Sequence, residues 1–261
     1  FSFPELMALY FGRDMLRVFE GTVFHDALDS LFKKVRTTLP PESVKYIENL
    51  RQTLHVGIKP YKNYKRFREI IQRVEEAAQK RNTVEIVYYT MSRKSESRRR
   101  VDPYRIWFFN GTFYLIGRCH KRSDVRIFAL DRIRMLSMTD ACFEVPEEFD
   151  LEAFLRPSLG VYQGQPARVR VRFAPEAAGY VREKVWHETQ EITTEEDGSI
   201  IFEAEVAGLD EIRFWVLSWG SAAEVLEPEE LRDKVRSEAR ALVARYEGRR
   251  EKEPEEKSRN L

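Results

Sequence analysis

The stretch of residues 83–142 alternates apolar and polar side chains, and this pattern constrains the fold more than any other feature of the chain. Alternation with a period of two is typical of half-buried β-strands. The Asn110-Gly111 pair predicts a type I′ hairpin, and Pro103 predicts a strand edge or a bulge. Five short strands fit into the stretch, which predicts a small, curved antiparallel barrel. The strands are "TVEIVYYT", "RRRVDPYRIWFFN", "TFYLIGRC", "VRIFAL" and "RIRMLSMT".

This strand-rich stretch is basic, although the whole chain is almost neutral. Residues 81–134 carry 13 Lys or Arg and five Asp or Glu, whereas the 261 residues together carry a net charge of +1. A local basic patch is the footprint expected for a phosphate-bearing ligand, and the alternative is a solvated face. Cations are rarely buried without partners, so these side chains point either to solvent or together at an anion. The cations in question are Arg118, His120, Arg126, Arg132 and Arg134.

The residues before the strands have helical spacing. Ser2 and Glu5 form a capping-box pattern that begins a helix, and Gly21 is suited to end it. Thr22 is placed to cap a second helix, which Pro40-Pro41 ends. A third helix is predicted at 41–50 and a fourth at about 63–82. Residues 1–82 are therefore predicted to form a helical linker or dimerisation region.

The residues after the strands predict a second α/β part. A short helix in "EEFDLEAFL" and a Gly/Pro-rich linker at 156–167 precede the order strand–helix–strand–strand–helix–strand–helix, which is typical of a ferredoxin-like unit. Its three tryptophans, Trp186, Trp215 and Trp219, are predicted to lie in its core. The fold class is therefore α+β, with a barrel at 83–156, an α/β extension at 166–247 and a disordered charged tail at 248–261.

Several functional classes are disfavoured by composition and motifs. Two cysteines, Cys119 and Cys142, are too few for a disulfide framework and fit a reducing, cytoplasmic compartment. No metal-ligand cluster and no nucleophile–base set is apparent, so we expect no cofactor and no enzymatic activity. No apolar run reaches the length of about 18 residues that a membrane helix requires. The chain begins without an initiator Met, which suggests that a segment precedes it.

The strand-rich stretch resembles a WYL domain. The resemblance is carried by "RRRVDPYRIWF", by "GTFYLIGRCHKRSDVRIFALDRI", in which Phe113-Tyr114-Leu115 takes the place of the Trp-Tyr-Leu triplet, and by "SWGSAAEVLEPEELRDKVRSEARALVARY" farther on. It covers about residues 83–246, and residues 1–82 resemble the spacer of the same bacterial regulators. The family implies an Sm-like, SH3-type barrel in a transcription factor that works as a homodimer. A winged helix-turn-helix that binds promoter DNA normally precedes these parts.

The family resemblance also implies a ligand and its site. Several WYL regulators respond to DNA damage through single-stranded DNA, so an oligonucleotide is the expected allosteric effector. Strand pairing is expected to bring Arg118 and His120 beside Arg126 in one cationic patch. The predicted ligand-binding residues are Arg118, His120, Arg126, Arg132, Arg134, Arg98 and Arg100, with Tyr114 and Tyr104 as aromatic platforms for bases.

Other interpretations of these residues stay open. Arg126 and Arg132 are also placed to form ion pairs with Asp124, Asp131 or Asp102, and Tyr114 to fill the core. The run Arg98–Arg100 is compatible with a solvated loop, and His120 with an ordinary surface position. Three further functions compete with the oligonucleotide sensor. They are a sensor of a nucleotide or phosphorylated metabolite that uses the same basic pocket, a nuclease, and a purely structural dimerisation module.

Overall fold

The computed structural model describes residues 1–54, 56, 62–156, 160–161 and 164–250. The chain divides into two compact units, Phe1–Pro146 and Glu147–Leu261. Residues 248–250 continue the last helix, so the predicted tail does not begin at 248. The rest of the predicted tail and residues 157–159 and 162–163 of the predicted linker lie outside the described residues.

The first unit begins with helices whose N-terminal caps match the sequence patterns. The Glu5 carboxylate accepts hydrogen bonds from the Ser2 backbone N–H at 2.6 Å and from its hydroxyl at 3.0 Å. The Thr22 hydroxyl accepts one from the His25 backbone N–H at 3.4 Å. The helices are α1 (Phe3–Met15), α2 (Val23–Thr38), α3 (Pro41–Thr53) and α4 (Arg68–Lys80), with 3₁₀ turns at Leu16–Phe19 and Lys65–Phe67. Both α1 and α4 are shorter than predicted, because a 3₁₀ turn follows α1 and another precedes α4.

Five antiparallel strands follow, as predicted. They are β1 (Asn82–Thr90), β2 (Ser95–Phe109), β3 (Thr112–Cys119), β4 (Asp124–Ala129) and β5 (Ile133–Cys142). Their order in the sheet is β4-β3-β2-β1-β5. Asn110 and Gly111 have φ angles of 45° and 74°, as a type I′ turn requires. The β2–β3 register shifts between Pro103 and Arg105, which confirms a bulge in a central strand.

The core of the first unit lies between α4 and one face of this sheet. Ile71, Val74 and Ala77 of α4 are buried against the strands. The Phe113 ring lies 4.9 Å from the ring of the fully buried Tyr64, whose hydroxyl accepts the Phe113 backbone N–H at 2.8 Å. Phe19 packs against the same core, so helices and sheet share one hydrophobic interior.

The second unit has the element order that the sequence predicts. It contains α5 (Leu151–Leu155), β6 (Pro166–Phe173), α6 (Pro175–Arg182), β7 (Glu191–Thr194), β8 (Ile200–Ala207), α7 (Leu209–Leu217), β9 (Ala223–Glu227) and α8 (Glu229–Arg250). Its antiparallel strands are ordered β7-β8-β6-β9. The predicted strand at His187 begins only at Glu191, because His187 instead bonds to the Arg156 carbonyl and Thr189. Trp186, Trp215 and Trp219 pack against the core of this unit, as expected.

The structure therefore confirms a mixed α+β fold with two antiparallel sheets. Closure of the first sheet into an Sm-like barrel, the ferredoxin-like assignment and the boundaries of the sequence-derived domains stay predictions. None of the helices in the described part of the chain combines the length and the apolar run needed to cross a bilayer.

Gly117 is required by a close approach of two strands. A Cβ at this position would lie 2.2 Å from the Asp102 carbonyl oxygen, a backbone atom. We expect Gly117→Ala to lower the free energy of unfolding by about 3 kcal/mol, because overpacking forces the backbone apart. Gly12→Ala is the matched control, since nothing lies within 4 Å of its added Cβ in α1. That change should raise stability by about 0.5–1 kcal/mol. Urea denaturation of both variants tests this, and equal effects would contradict it.

Tyr64 should make stability depend on pH in the alkaline range. Burial raises the pKa of the Tyr64 hydroxyl from 10.0 to about 12. Between these values the unfolded chain ionises this group and the folded chain does not, so stability falls as pH rises from about 10 to about 12. Tyr64→Phe should remove this part of the alkaline loss of stability. It should also lower the free energy of unfolding by about 1–3 kcal/mol at pH 7, because the Phe113 N–H loses its acceptor. Chemical denaturation at several pH values tests both effects, and an unchanged alkaline slope would refute the assignment.

Candidate anion-binding site

The pairing of β3 with β4 decides which cations can meet. Gly117 lies opposite Arg126, Leu115 opposite Phe128, and Arg118 opposite Val125. Residues directly opposite each other in an antiparallel pair point to the same face of the sheet. Arg126 therefore shares the face of the buried Leu115 and Phe128, which we call the core face, and Arg118 points to the opposite face. The predicted patch of Arg118, His120 and Arg126 is wrong, because the register places Arg118 and Arg126 on different faces.

His120 lies with Arg118 on the opposite face. Its Nε2 is 2.8 Å from Oδ1 of Asp102, a buried carboxylate that also accepts the Thr83 hydroxyl at 2.6 Å. Asp102 pairs in register with Arg118. The imidazole is therefore held by a structural carboxylate, and its ring is partly exposed at the sheet surface.

The remaining predicted cations of the opposite face lie along β2 and β5. Arg98 pairs with Val87 and Arg100 with Glu85, and both arginines are exposed. Arg134 lies 3.7 Å from the Glu96 carboxylate, and its guanidinium is 5.3 Å from the centre of the Tyr89 ring. These residues therefore do not join Arg126 and Arg132 in one pocket.

A different arginine, Arg99, lies on the core face. Its guanidinium carbon is 5.9 Å from the ring centres of both Tyr88 and Phe128. These two rings meet edge to face at 5.2 Å. The Arg99 side chain also donates to the Ser97 hydroxyl at 3.1 Å and lies 3.9 Å from the Cys119 sulfur. One guanidinium thus spans two aromatic rings at the margin of the core.

Arg132 lies near the Tyr88 hydroxyl. Burial raises the pKa of the Tyr88 hydroxyl, and the nearby positive charge of Arg132 opposes this shift. Asp131, one of the expected partners of Arg132, contacts the Lys62 ammonium at 2.8 Å. Arg126 lies two residues before Phe128 on the same face, and its expected ion pair with Asp124 is present at 3.2 Å. We call Arg99, Arg126 and Arg132 the core-face arginines.

The two predicted aromatic platforms are placed differently. Tyr104 is 4% exposed and its ring lies 5.8 Å from that of Phe143, so it belongs to the interior and does not offer a free face to a base. It is the extra residue of the β2 bulge, which turns it inward. Tyr114 is half-buried on the opposite face, 5.5 Å from the Trp107 ring. Tyr88 and Phe128 are instead the rings beside the core-face arginines.

Sequence reasoning missed Arg99, Tyr88 and Phe128 as candidates. Alternation along β2 was a usable signal, since it places Arg99 on the face of Val101 and the other two arginines of the run on the opposite face. Tyr88 lies two residues after the buried Ile86 on β1 and therefore shares its face. Their role as a site also depends on pairing between strands, which the sequence does not encode locally.

The core-face arginines can bind an anion at the margin of the core. With Lys62 they supply four positive charges, against the two carboxylates of Asp124 and Asp131. Guanidinium groups bind phosphate oxygens bidentately. Across the described ranges, no group of three or more His, Cys, Asp or Glu side chains could hold a metal ion.

Comparison with known proteins finds curated relatives of this chain. Protein PafC of Mycobacterium tuberculosis, in strains CDC 1551 and H37Rv, is 28% identical over 179 residues. The match covers 66% of this chain and 54% of PafC, so this chain spans about half the length of the curated relatives it matches.

Two solved structures are also similar. One is the proteasome accessory factor B/C (PafBC) of Arthrobacter aurescens, at 21% identity over 94% of this chain and 36% of that chain, with a TM-score of 0.37. The other is described as a CRISPR Cas-related protein, at 14% identity over 72% of this chain and 52% of that chain, with a TM-score of 0.46.

Two family descriptions match along the chain. The WYL domain matches residues 69–138, which hold α4, the five strands up to Met138 and all three core-face arginines. The WCX domain matches residues 165–243 of the second unit. Together these matches take in more than half of the 261 residues. The chain therefore carries a WYL domain followed by a WCX domain.

Proposed function

We propose that this chain is the effector-binding and dimerisation part of a bacterial transcriptional regulator, and that its effector is a short single-stranded DNA. The observation that supports this most is the position of Arg99 over the rings of Tyr88 and Phe128, with Arg126 on the same face of the sheet and Arg132 near the Tyr88 hydroxyl. The arginines bind backbone phosphates, and the site does not require a particular base sequence.

The physical chemistry of the site favours unpaired strands. The Tyr88 and Phe128 rings are buried, so a base would stack on the guanidinium planes of the core-face arginines, and every base has a face for such a contact. A duplex keeps its bases stacked on each other, so this contribution is absent there. Phosphate binding releases counterions, so the affinity falls as salt rises.

The regulatory part of the proposal rests on the WYL family and on the similarity to PafC. An upstream helix-turn-helix would bind two half-sites of promoter DNA through a homodimer in the cytoplasm. The effector would shift the dimer toward one arrangement by binding that arrangement more tightly. Single-stranded DNA that accumulates on DNA damage would then serve as the signal, and the protein itself would catalyse no reaction.

A second candidate effector is a mononucleotide or a phosphorylated metabolite. The observation in its favour is the small size of the core-face group. The group contains only three arginines, whereas the other predicted cations, including Arg118 and Arg134, lie on the opposite face. A ligand with one or two phosphates would satisfy such a group.

Substitution of single arginines tests which face of the sheet binds the ligand. Arg99→Ala, Arg126→Ala and Arg132→Ala should each weaken binding of a labelled nonanucleotide about tenfold, since a hydrogen bond to a charged group contributes about 1.5–3 kcal/mol. Arg118→Ala is the matched control, because it removes the same charge from the opposite face of β3. Fluorescence polarisation at two salt concentrations measures these affinities. A loss in Arg118→Ala equal to that in Arg132→Ala would place the ligand elsewhere.

The length of the ligand distinguishes the two effectors. Mono-, tri- and nonanucleotides of one base should bind with affinity that increases with length, because further phosphates and bases gain contacts along the strand. A mononucleotide sensor would instead saturate with the mononucleotide and gain little from longer chains. Titration of the wild-type chain with the three ligands decides between them. Absence of salt-sensitive binding to all three would reject both.

A further inference from the structure

The hairpin of β1 and β2 extends beyond the other strands of the first sheet. β5 begins opposite Tyr88, and β3 ends opposite Val101. Before Val101, β2 therefore pairs in register only with β1. A 3₁₀ turn at Met91–Arg93 joins the two strands at the tip. We call residues 89–100 the β1–β2 arm.

The β1–β2 arm carries four exposed cations that no carboxylate neutralises. Two lie on the opposite face of β2 and two at the tip. Among the residues that the structure describes, none of the four takes part in an ion pair. Glu96, the only carboxylate in the sequence of the arm, is instead 3.7 Å from Arg134 of β5. The four cations are Arg93, Lys94, Arg98 and Arg100.

Strand β6 of the second unit shows the neutralised counterpart of this arrangement. Its arginines also alternate along one face of a strand, but carboxylates of neighbouring elements contact them. Arg170 contacts Glu203 at 2.8 Å and Glu227 at 3.0 Å. Arg172 contacts Glu195 at 2.9 Å. The arginines of β6 are therefore balanced within the fold, whereas those of the β1–β2 arm are left to bind an external anion.

The two arginines of β2 also line a groove on the opposite face. Arg98 and Arg100 bound it on one side, and its volume is about 380 Å³. Met135, which is 68% exposed, lines it on the β5 side. Glu85, the register partner of Arg100, is the only carboxylate among the lining residues. Four cations less this one carboxylate leave a net charge of +3 on the groove and the tip.

The chemistry of the β1–β2 arm suits the phosphates of a duplex better than an unpaired base. The only aromatic residue of the arm is Tyr89, and the Arg134 guanidinium covers its ring at 5.3 Å. The arm therefore has little surface on which an unpaired base could stack. Guanidinium groups bind phosphate oxygens bidentately.

The length of the β1–β2 arm also matches a duplex. From Arg100 to Lys94 the cations extend over roughly 20 Å, at about 3.3 Å per strand residue. Roughly six base pairs of duplex DNA occupy this length, and they present one charge per about 1.7 Å of axis. A single strand carries fewer phosphates over the same distance, so it releases fewer counterions when it binds.

We propose that the β1–β2 arm contacts the phosphate backbone of double-stranded DNA through Arg93, Lys94, Arg98 and Arg100, without reading its sequence. This surface is separate from the core-face arginines. The choice of DNA as the duplex rests on the proposed function, in which an upstream helix-turn-helix holds the chain on promoter DNA. Backbone contacts of this kind fix position and add affinity without specifying bases.

The salt dependence of duplex binding tests the proposal on the full chain. Fluorescence anisotropy of a labelled duplex of about 20 base pairs should give a slope of log association constant against log salt of about −3.6, since each neutralised phosphate contributes about −0.9. Arg98→Ala/Arg100→Ala should reduce the size of this slope by about 1.8 and weaken binding at low salt. Circular dichroism checks that the variant is folded.

A matched variant controls for loss of net charge. Lys33→Ala/Lys34→Ala removes two exposed cations from α2, and these also form no ion pair with the described residues. This variant should keep the wild-type slope. A wild type without salt-dependent duplex binding overturns the proposal, as does a wild-type slope in Arg98→Ala/Arg100→Ala.

The labelled nonanucleotide separates this surface from the proposed effector site. Arg98→Ala/Arg100→Ala should bind the nonanucleotide as the wild type does, and Arg132→Ala should bind the duplex as the wild type does. A loss of duplex binding in Arg132→Ala equal to that in the arm variant overturns the assignment to the arm. Nonanucleotide binding that fails while duplex binding persists contradicts only the proposed function. Tighter binding of duplex RNA or of polyglutamate than of duplex DNA would assign the arm to another partner and overturn the proposal.

Discussion

The register between β3 and β4 is the constraint on which the candidate site depends. Because side chains alternate along a strand, one pairing of Gly117 with Arg126 assigns every cation of the hairpin to one face or the other. The close approach that excludes a Cβ at Gly117 fixes the neighbouring pair with β2. Arg126 is thereby placed beside Phe128, and Arg118 beside the buried Asp102 on the other side. A one-residue slip would exchange the two sets.

The core and the candidate site share residues. Tyr88 and Phe128 are buried members of the hydrophobic core, and they also form the surface over which Arg99 lies. The Tyr88 hydroxyl accepts the Ala129 backbone N–H at 3.2 Å, which ties the ring to the end of β4. The buried rings therefore support the Arg99 guanidinium from below, and an anion that binds this guanidinium would not have to order it first. Substitution of either ring would change stability and binding together, so the arginines are the cleaner probes of function.

Much of the fold could be predicted from local patterns, whereas the site could not. Helix caps at Ser2 and Thr22, the Asn110-Gly111 turn and the five strands each depend on residues close in sequence. The faces of the cations depend on pairing between strands, and the bulge at Tyr104 moves one predicted platform into the interior. Arg98–Arg100 illustrates the limit, since alternation separates Arg99 from its neighbours but does not indicate which face holds the rings. That choice is made by long-range packing against α4.

The N-terminal helices and the strands of the candidate site lie in one compact unit. Helix α1 continues into the 3₁₀ turn that ends at Phe19, whose ring lies 4.7 Å from Phe108 and 5.5 Å from Phe113. Phe113 lies near the start of β3, the strand that carries Gly117 opposite Arg126. Contact alone does not make two sites interdependent. An effector at the core-face arginines would change the dimer only if the packing of Phe19 on this strand had two arrangements and the ligand bound one of them more tightly. The same difference in affinity would make dimerisation strengthen effector binding by an equal factor.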